Sequence, residues 1–432
     1  MSLEIGGVLR CVLAGAVAVG LLTACGGGAK STDSAEPKES RAASGRPPSP
    51  SPSPTRVAPK TQLSVPSLYD TSQGWESDLP GTQLALPHSE AVAVFRQGGR
   101  NNGDFTVLDV TSGEILWKSA TVEGFGSMSP LSVTVQGQDY LIASASGAKG
   151  AGTVSKGREV TTIDIFSARG SGDAVKPARH LELEGEGVVR DGGGGLLVEL
   201  DDDVVMTVDP ATGAMTKYDL DELEPPADEC TLCLGKTKAV AVTSRGPLLT
   251  VDSHSWVPKA WSSGGLTTNS ENTVFVGLIA EDALVAKWHD EGATDDTWAV
   301  LDSATGKVLA KVDCESPHGI VDDDAEGAAL SAAGRYLVRS HTVFDLEKGT
   351  GHCFEETDQD KPIHLTGVTD DGVAFGSVAL DGNGSKASVV IDVATGEAKD
   401  SEHGAVPFSD YAGYGLFWDD SANTMVAYPH AK

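Results

Sequence analysis

Seven aspartates recur through this 432-residue chain: Asp109, Asp164, Asp209, Asp252, Asp302, Asp345 and Asp392. Their mean step of about 47 residues is the period of a repeat array. Carboxylates repeated in this way could ring a metal ion. Their context favours a simpler use. Each follows an apolar run and, in the clearest copies, precedes a small turn and a Gly: TVLDVTSGEILW (106–117), MTVDPATGAMTKY (206–218), AVLDSATGKVLAKV (299–312) and VVIDVATGEAK (389–399). Looser copies are TTIDIFSARGSGDAV (161–175), LLTVDSHSWVPKAW (248–261) and HTVFDLEKGTGHCF (341–354). An Asp so placed accepts backbone N–H bonds from residues two or three ahead, and the Gly supplies positive φ. Seven hairpin turns are therefore expected, not a ring of ligands.

The cysteines offer a second chemistry. Cys230, Cys233, Cys314 and Cys353 are even in number, which in an exported domain points to two disulfides. Of the three connectivities, Cys230–Cys233 as a local clip and Cys314–Cys353 between successive repeats are favoured. The second pairing meets a difficulty. Cys314 ends one outer strand and Cys353 is read as starting the next, which puts them at opposite rims. A redox role for Cys230-x-x-Cys233 needs a lowered thiol pKa, whereas Glu222, Glu224, Asp228 and Glu229 crowd the approach and raise it. A four-cysteine zinc site is the remaining alternative.

Other catalytic patterns are thin. The 10 histidines are scattered singly, with no His-Glu-x-x-His, no Cys-x-x-Cys-His and no Gly-x-Ser-x-Gly. The run Gly192–Gly195 has no helix after it to complete a phosphate cradle, so a hairpin turn is expected. Asp381, Asn383 and Ser385 begin like a calcium loop, but Lys386 stands where that loop needs Gly. The acid runs Asp201–Asp203 and Asp322–Asp324 read as solvated loops.

The elements that position these residues are short strands. Before Asp302 come NTVFVGLIA (272–280) and ALVAKWH (283–289); before Asp392 come HLTGV (364–368) and VAFGSVAL (373–380). With the hairpin they make four strands per period, the plan of a propeller blade, which buries both sheet faces against its neighbours. After the seventh hairpin, residues 406–430 suffice for three strands. The segment SLYDTSQGWESDL (67–79) supplies a turn and a fourth, with Asp70, Gly74 and Trp75 in the repeat's places. Pairing the two ends removes free sheet edges. The expected fold is all-β, an eight-bladed propeller closed by N- and C-terminal strands, with seven blades as the alternative.

Ahead of the repeats, CVLAGAVAVGLL (11–22) is too short to span a membrane as a mature helix. With Leu22-Thr23-Ala24-Cys25 it resembles the bacterial lipobox, which implies cleavage before Cys25 and lipid on its sulfur. Residues 1–24 are thus expected to be a lipoprotein signal peptide and 25–61 a disordered Gly/Ser/Pro-rich tether. The propeller takes 62–432. The net charge of −30 falls almost wholly on that domain and argues against nucleic acid and anionic lipid as its partners.

The pattern Leu-Asp-x-x-[ST]-Gly-x-x-x-Trp at 108–117 resembles the repeat of the PQQ-like, quinoprotein-dehydrogenase-type β-propellers. That family is commonly eight-bladed and includes both enzymes and non-enzymatic envelope lipoproteins. Only the first hairpin carries the full form with Trp117; Lys217 and Ala310 replace the aromatic elsewhere, and Trp256 and Trp261 flank the fourth position. In the enzymes a vicinal cysteine pair stacks on the quinone beside a calcium site; this chain has no adjacent cysteines. The resemblance therefore implies a fold without the enzymatic motifs. The expected protein is a monomer at the outer face of the cell membrane, anchored through Cys25, with no cofactor. Its propeller loops would bind exported or envelope proteins. A PQQ- or metal-dependent oxidoreductase and a small-molecule or glycan receptor are the alternatives.

Overall fold

The computed structural model describes residues 58–432, except 100, 202, 224–234, 252–253, 263–272, 281–282, 290–294, 316–327, 358, 381–385, 401–403 and 420. Cys25, Cys230, Cys233, Asp252 and the 381–385 loop lie outside the described residues. Among those described there is no α-helix, and no helix long and apolar enough to cross a membrane.

Alternating β-branched and apolar residues give short strands, and short linkers make chain neighbours pair antiparallel. Val188–Asp191, Leu196–Asp201, Val204–Val208 and Met215–Asp219 lie in that order in one sheet. Four-stranded sheets of the same plan cover 128–184, 238–262 and 364–400. The sheet over 82–119 gains a parallel outer strand, Gly172–Val175, from the neighbouring segment. Residues 273–315 and 328–353 form two antiparallel halves of an eight-stranded sheet, joined at one parallel pairing, Lys311↔Thr350. The chain ends meet in the last sheet. Trp75–Ser77 pairs with Thr424–Pro429 in the register Trp75↔Ala427, Glu76↔Val426 and Ser77↔Met425.

No single centre holds the apolar core; it is layered between sheets. Phe105, Val107 and Trp117 of one sheet pack on Leu141, Ala143 and Phe166 of the next. The opposite face of that second sheet packs Ile142, Ile163 and Ile165 on Leu196, Val198 and Val208. Strands in this position are buried on both faces, so they read as continuous apolar runs such as AVAVF in Ala91–Gln97.

The Asp-to-Gly segment is built alike at each described outer hairpin that carries it. Asp109 Oδ1 accepts the N–H groups of Thr111 and Ser112 at 2.9 and 2.8 Å, and the Gly113 N–H closes on Asp109 O at 2.8 Å. Asp209, Asp302, Asp345 and Asp392 repeat the last bond with Gly213, Gly306, Gly349 and Gly396. Asp70 similarly accepts Ser72 N at 3.0 Å.

Asp164 departs from the expectation. It lies inside the strand Arg158–Ser167, 5% exposed, and meets His180 Nδ1 at 2.7 Å across the register pair His180↔Asp164. The buried Ile165 and Phe166 continue the apolar run past it, so the strand runs on and the reversal moves to 168–178. In the 238–262 sheet, Ala260 N bonds to Val257 O and closes the outer turn after the position of Asp252.

Tryptophans lock adjacent sheets together. Trp117 Nε1 donates to Ala168 O at 2.8 Å, Trp75 Nε1 to Val110 O at 2.8 Å and Trp261 Nε1 to Ser303 O at 2.9 Å. Each ring lies over a glycine of the neighbouring turn. Gly113 has φ +71°, and a Cβ there would stand 2.6 Å from Trp75 Cδ2, so conformation and contact both exclude a side chain. Trp75 takes the repeat's place as the sequence reading expected, and that reading is corrected at Trp261, which does the same work in the 238–262 sheet. Arg179 does similar work from its own strand, donating to Thr212 O at 3.1 Å and Ala211 O at 3.2 Å.

Candidate functional site: the central cavity

The first strands of successive sheets face a shared cavity of about 930 Å³. Ala85, Thr134, Asp191, Leu330, Thr366 and Ser409, each from a different first strand, are among its lining residues. Such strands carry small or neutral side chains on the cavity side, where several chains converge and bulk would clash. A few polar and ionisable groups break this neutrality: His88, Asp191, His364 and Lys386.

Asp191 ends its strand at the glycine run. Its carboxylate reaches cavity water but is enclosed by protein, and that burial pushes its pKa up to about 6. The Gly193 N–H, donating to Asp191 Oδ1 at 2.8 Å, acts in the opposite direction. Gly192–Gly195 form the hairpin turn the sequence suggested: Gly192 N bonds Gly195 O at 2.8 Å, and Gly194 N reaches Val242 O of the next sheet at 3.0 Å. Behind the wall, Asp139 is 3% exposed and receives the Thr134 hydroxyl at 2.7 Å. At the other end of the first strands, the rings of His341 and His364 lie 4.4 Å apart.

A second polar group lies away from the cavity, where the two halves of the eight-stranded sheet meet. Cys314 and Cys353 are joined as a disulfide with Cα atoms 5.7 Å apart. The objection about opposite rims fails because Cys353 ends its strand, Thr350–Cys353, instead of starting one. Each cysteine lies three residues beyond its partner in the parallel pair Lys311↔Thr350, so both reach the same edge. Beside them Lys287, 6% exposed, lies 3.1 Å from Asp296 and 3.5 Å from Glu355, with its ammonium 5.0 Å from the Trp298 ring centre. Trp298 Nε1 donates to Glu355 at 3.0 Å. The two sulfurs and the Glu355 carboxylate have the mutual spacing of a metal-ligand set, but a disulfide sulfur is not a thiolate and binds metal poorly.

The repeating aspartates among the described residues are not brought together: Asp164 stays in its strand against His180, and Asp109, Asp209, Asp302, Asp345 and Asp392 stay in separate turns, each carboxylate used by its own backbone or by a local partner such as Arg335, which bonds Asp345 at 2.9 Å. That contact holds the Asp345 carboxyl down to about 2. Asp191, Lys287 and Asp139 were missed by sequence reasoning. The one signal was Lys287, a charge placed inside the apolar strand ALVAKWH.

No protein-family model matches the sequence, and no curated protein does. Among solved structures the chain is similar to the Dos1 propeller, at 12% identity over 82% of this chain and 95% of that one, with a TM-score of 0.38. It is also similar to the dihydro-heme d1 dehydrogenase NirN in complex with DHE (12% identity, 74% of this chain and 65% of that one, TM-score 0.38) and to U3-55K (10%, 81% and 97%, 0.37). These likenesses concern the fold alone. The strand order and the shared cavity make residues 58–432 an all-β, propeller-like domain.

Proposed function

We propose that this chain is an extracytoplasmic lipoprotein, lipid-anchored at Cys25 and held off the membrane by residues 25–61. Its PQQ-like propeller is a binding platform for exported or envelope proteins. The eight-blade reading is supported by counting the two halves of the eight-stranded sheet separately, with Trp75–Ser77 as the outer strand of the last. One observation carries the platform reading: adjacent sheets are locked by the same turn and tryptophan contacts, while the connections between them share no common sequence. A stiff scaffold with variable connections presents surface without rearranging.

Membrane fractionation of the full chain and its Cys25→Ala variant tests the anchor. The variant should leave the membrane for the medium, and unchanged membrane association would defeat the reading. Crosslinked pull-down from the producing cells tests the platform, which a chain recovered without partners would overturn. The cavity supports a second reading, a small-molecule receptor using Asp191 and Phe408. A ligand panel that raises the melting temperature of wild type but not of Asp191→Asn would favour it.

A further inference from the structure

Opposite charges line opposite mouths of the central cavity, because the first strands of successive sheets run in one direction along it. Gly193, just past the end of Val188–Asp191, bridges in parallel to Val242 near the end of Lys238–Thr243. Ala333 N, past the end of Ala328–Leu330, donates at 2.6 Å to Asp370 Oδ1, past the end of His364–Val368. Strand ends therefore gather at one mouth and strand starts at the other. Thr134 and Asp191 lie at strand ends. His364 and Phe408 lie at or beside strand starts, where Lys386, opening the third strand of its sheet, joins them. We propose that the Asp191 mouth is a binding site for a small organic amine. The Asp191 carboxylate anchors the ammonium, with the Thr134 oxygen of the neighbouring sheet as a further acceptor, and the apolar body lies along the cavity wall. The proposal rests on the receptor reading of the cavity and names the ligand's class and its anchor.

The first support is a carboxylate without a counter-charge. Asp191 lines the cavity, and among the described residues no Lys, Arg or His pairs with it; the adjacent Arg190 turns away to Glu199. Its donor is the Gly193 N–H, whereas a carboxylate has room for about four. Holding such a group in an enclosed place is unfavourable until a cation meets it. The raised pKa of Asp191 follows from that burial, and a bound ammonium would lower it again.

The second support is the polarity of Thr134, whose strand Met128–Val135 touches Val188–Asp191. Its hydroxyl has one proton and donates it to Asp139 Oδ1 at 2.7 Å, so the oxygen offers the cavity lone pairs only. Asp139 is 3% exposed, and its Oδ2 takes no donor among the described residues, so a second negative charge stands behind Thr134. A ligand that donates hydrogen bonds and carries positive charge satisfies both groups. The third support is the room itself. A cavity of about 930 Å³ has the size of a small-molecule site, and Ala85, Ala329 and Leu330 give it an apolar wall. Among the described residues no three metal-ligating side chains converge at this mouth, which favours an organic cation over a metal ion. The net charge of −30 draws such cations in.

The probes are phenethylamine and its neutral counterpart phenethyl alcohol, each titrated calorimetrically into the full chain. The amine should bind about tenfold more tightly than the alcohol. Asp191→Asn keeps an acceptor for the Gly193 N–H, so the turn stands; it should remove that advantage and leave the alcohol unchanged. Ser132 lines the cavity two residues before Thr134, and Ser132→Leu, which narrows the space, should weaken both probes. This second variant carries the test if Asp191→Asn does not melt like wild type, and amine binding that it leaves unchanged overturns the site. Equal binding of amine and alcohol, or an amine advantage that survives in a folded Asp191→Asn, overturns the amine proposal. If Ser132→Leu still blocks both probes in that case, the receptor reading stands without it. Absence of saturable binding by either probe overturns the proposal and the receptor reading together.

Discussion

Protonated His430 should fasten the two ends of the described chain, and raising the pH should loosen them. Tyr69 Oη donates to Asp410 Oδ2 at 2.8 Å, and His430 Nε2 lies 2.8 Å from the same oxygen. The Asp410 side chain is 5% exposed and that of His430 22%. The hydrogen bond to Asp410 is the main cause that raises the His430 pKa, helped by the charges of Asp410, Asp371 and Asp370 and opposed by burial. Burial, and then Asp410, drives the Tyr69 hydroxyl far upward, so it remains a donor throughout. Because the folded pKa exceeds the unfolded value of about 6.5, the stabilisation is fully present below that pH. It is lost as the pH climbs through the folded pKa. A charge-assisted bond in this partly enclosed place contributes about 1–2 kcal/mol. Urea unfolding of wild type and His430→Gln across pH 5 to 9 should show that difference at the acid end and a narrowing gap toward the alkaline end. Asp410→Asn should flatten the same dependence while costing more, because the Tyr69 hydroxyl then donates to a neutral amide oxygen in place of a carboxylate. A gap between wild type and His430→Gln that stays constant, or widens with pH, would refute the reasoning.

Trp117→Phe should lower unfolding stability by about 2 kcal/mol, since it strands the buried Ala168 carbonyl and leaves a void over Gly170; urea midpoints measure it. Cys353→Ser should cost about 2–4 kcal/mol by opening a link between residues 39 apart, and thiol titration of the denatured, unreduced variant should find Cys314 newly free. Asp302→Ala should cost about 1 kcal/mol, because its carboxylate takes both the N–H and the hydroxyl of Thr305 at 2.7 and 2.6 Å. Asp302→Asn should recover part of that loss, and equal melting of all three proteins would remove the turn-capping role.

What the chain states locally proved readable. Asp109 and Gly113 are four residues apart and bond to each other, so the turn is written within its own segment. The strands His364–Val368 and Val373–Ala379 were legible for the same reason: alternation and the intervening TDDG are short-range signals. Asp164 was misread because the letters IDIFS fit both a turn and a continuing strand. The choice fell to Ile165 and Phe166, whose burial against other sheets no local pattern reports.

By itself, then, the sequence determined a period, a hairpin repeated along it, an acidic excess over 62–432 and an apolar stretch just before Cys25. Only the tertiary structure decided which residues meet across periods. Trp117 finds its acceptor 51 residues away, Tyr69 finds Asp410 across 341, and Cys314 reaches Cys353 because two outer strands run parallel. Asp191 faces a cavity because its strand is the innermost of its sheet. Hydrogen-bonded turns depend on near neighbours in the chain, but a cavity and its rim depend on how successive sheets pack around it, and that packing is set by the apolar layers between them.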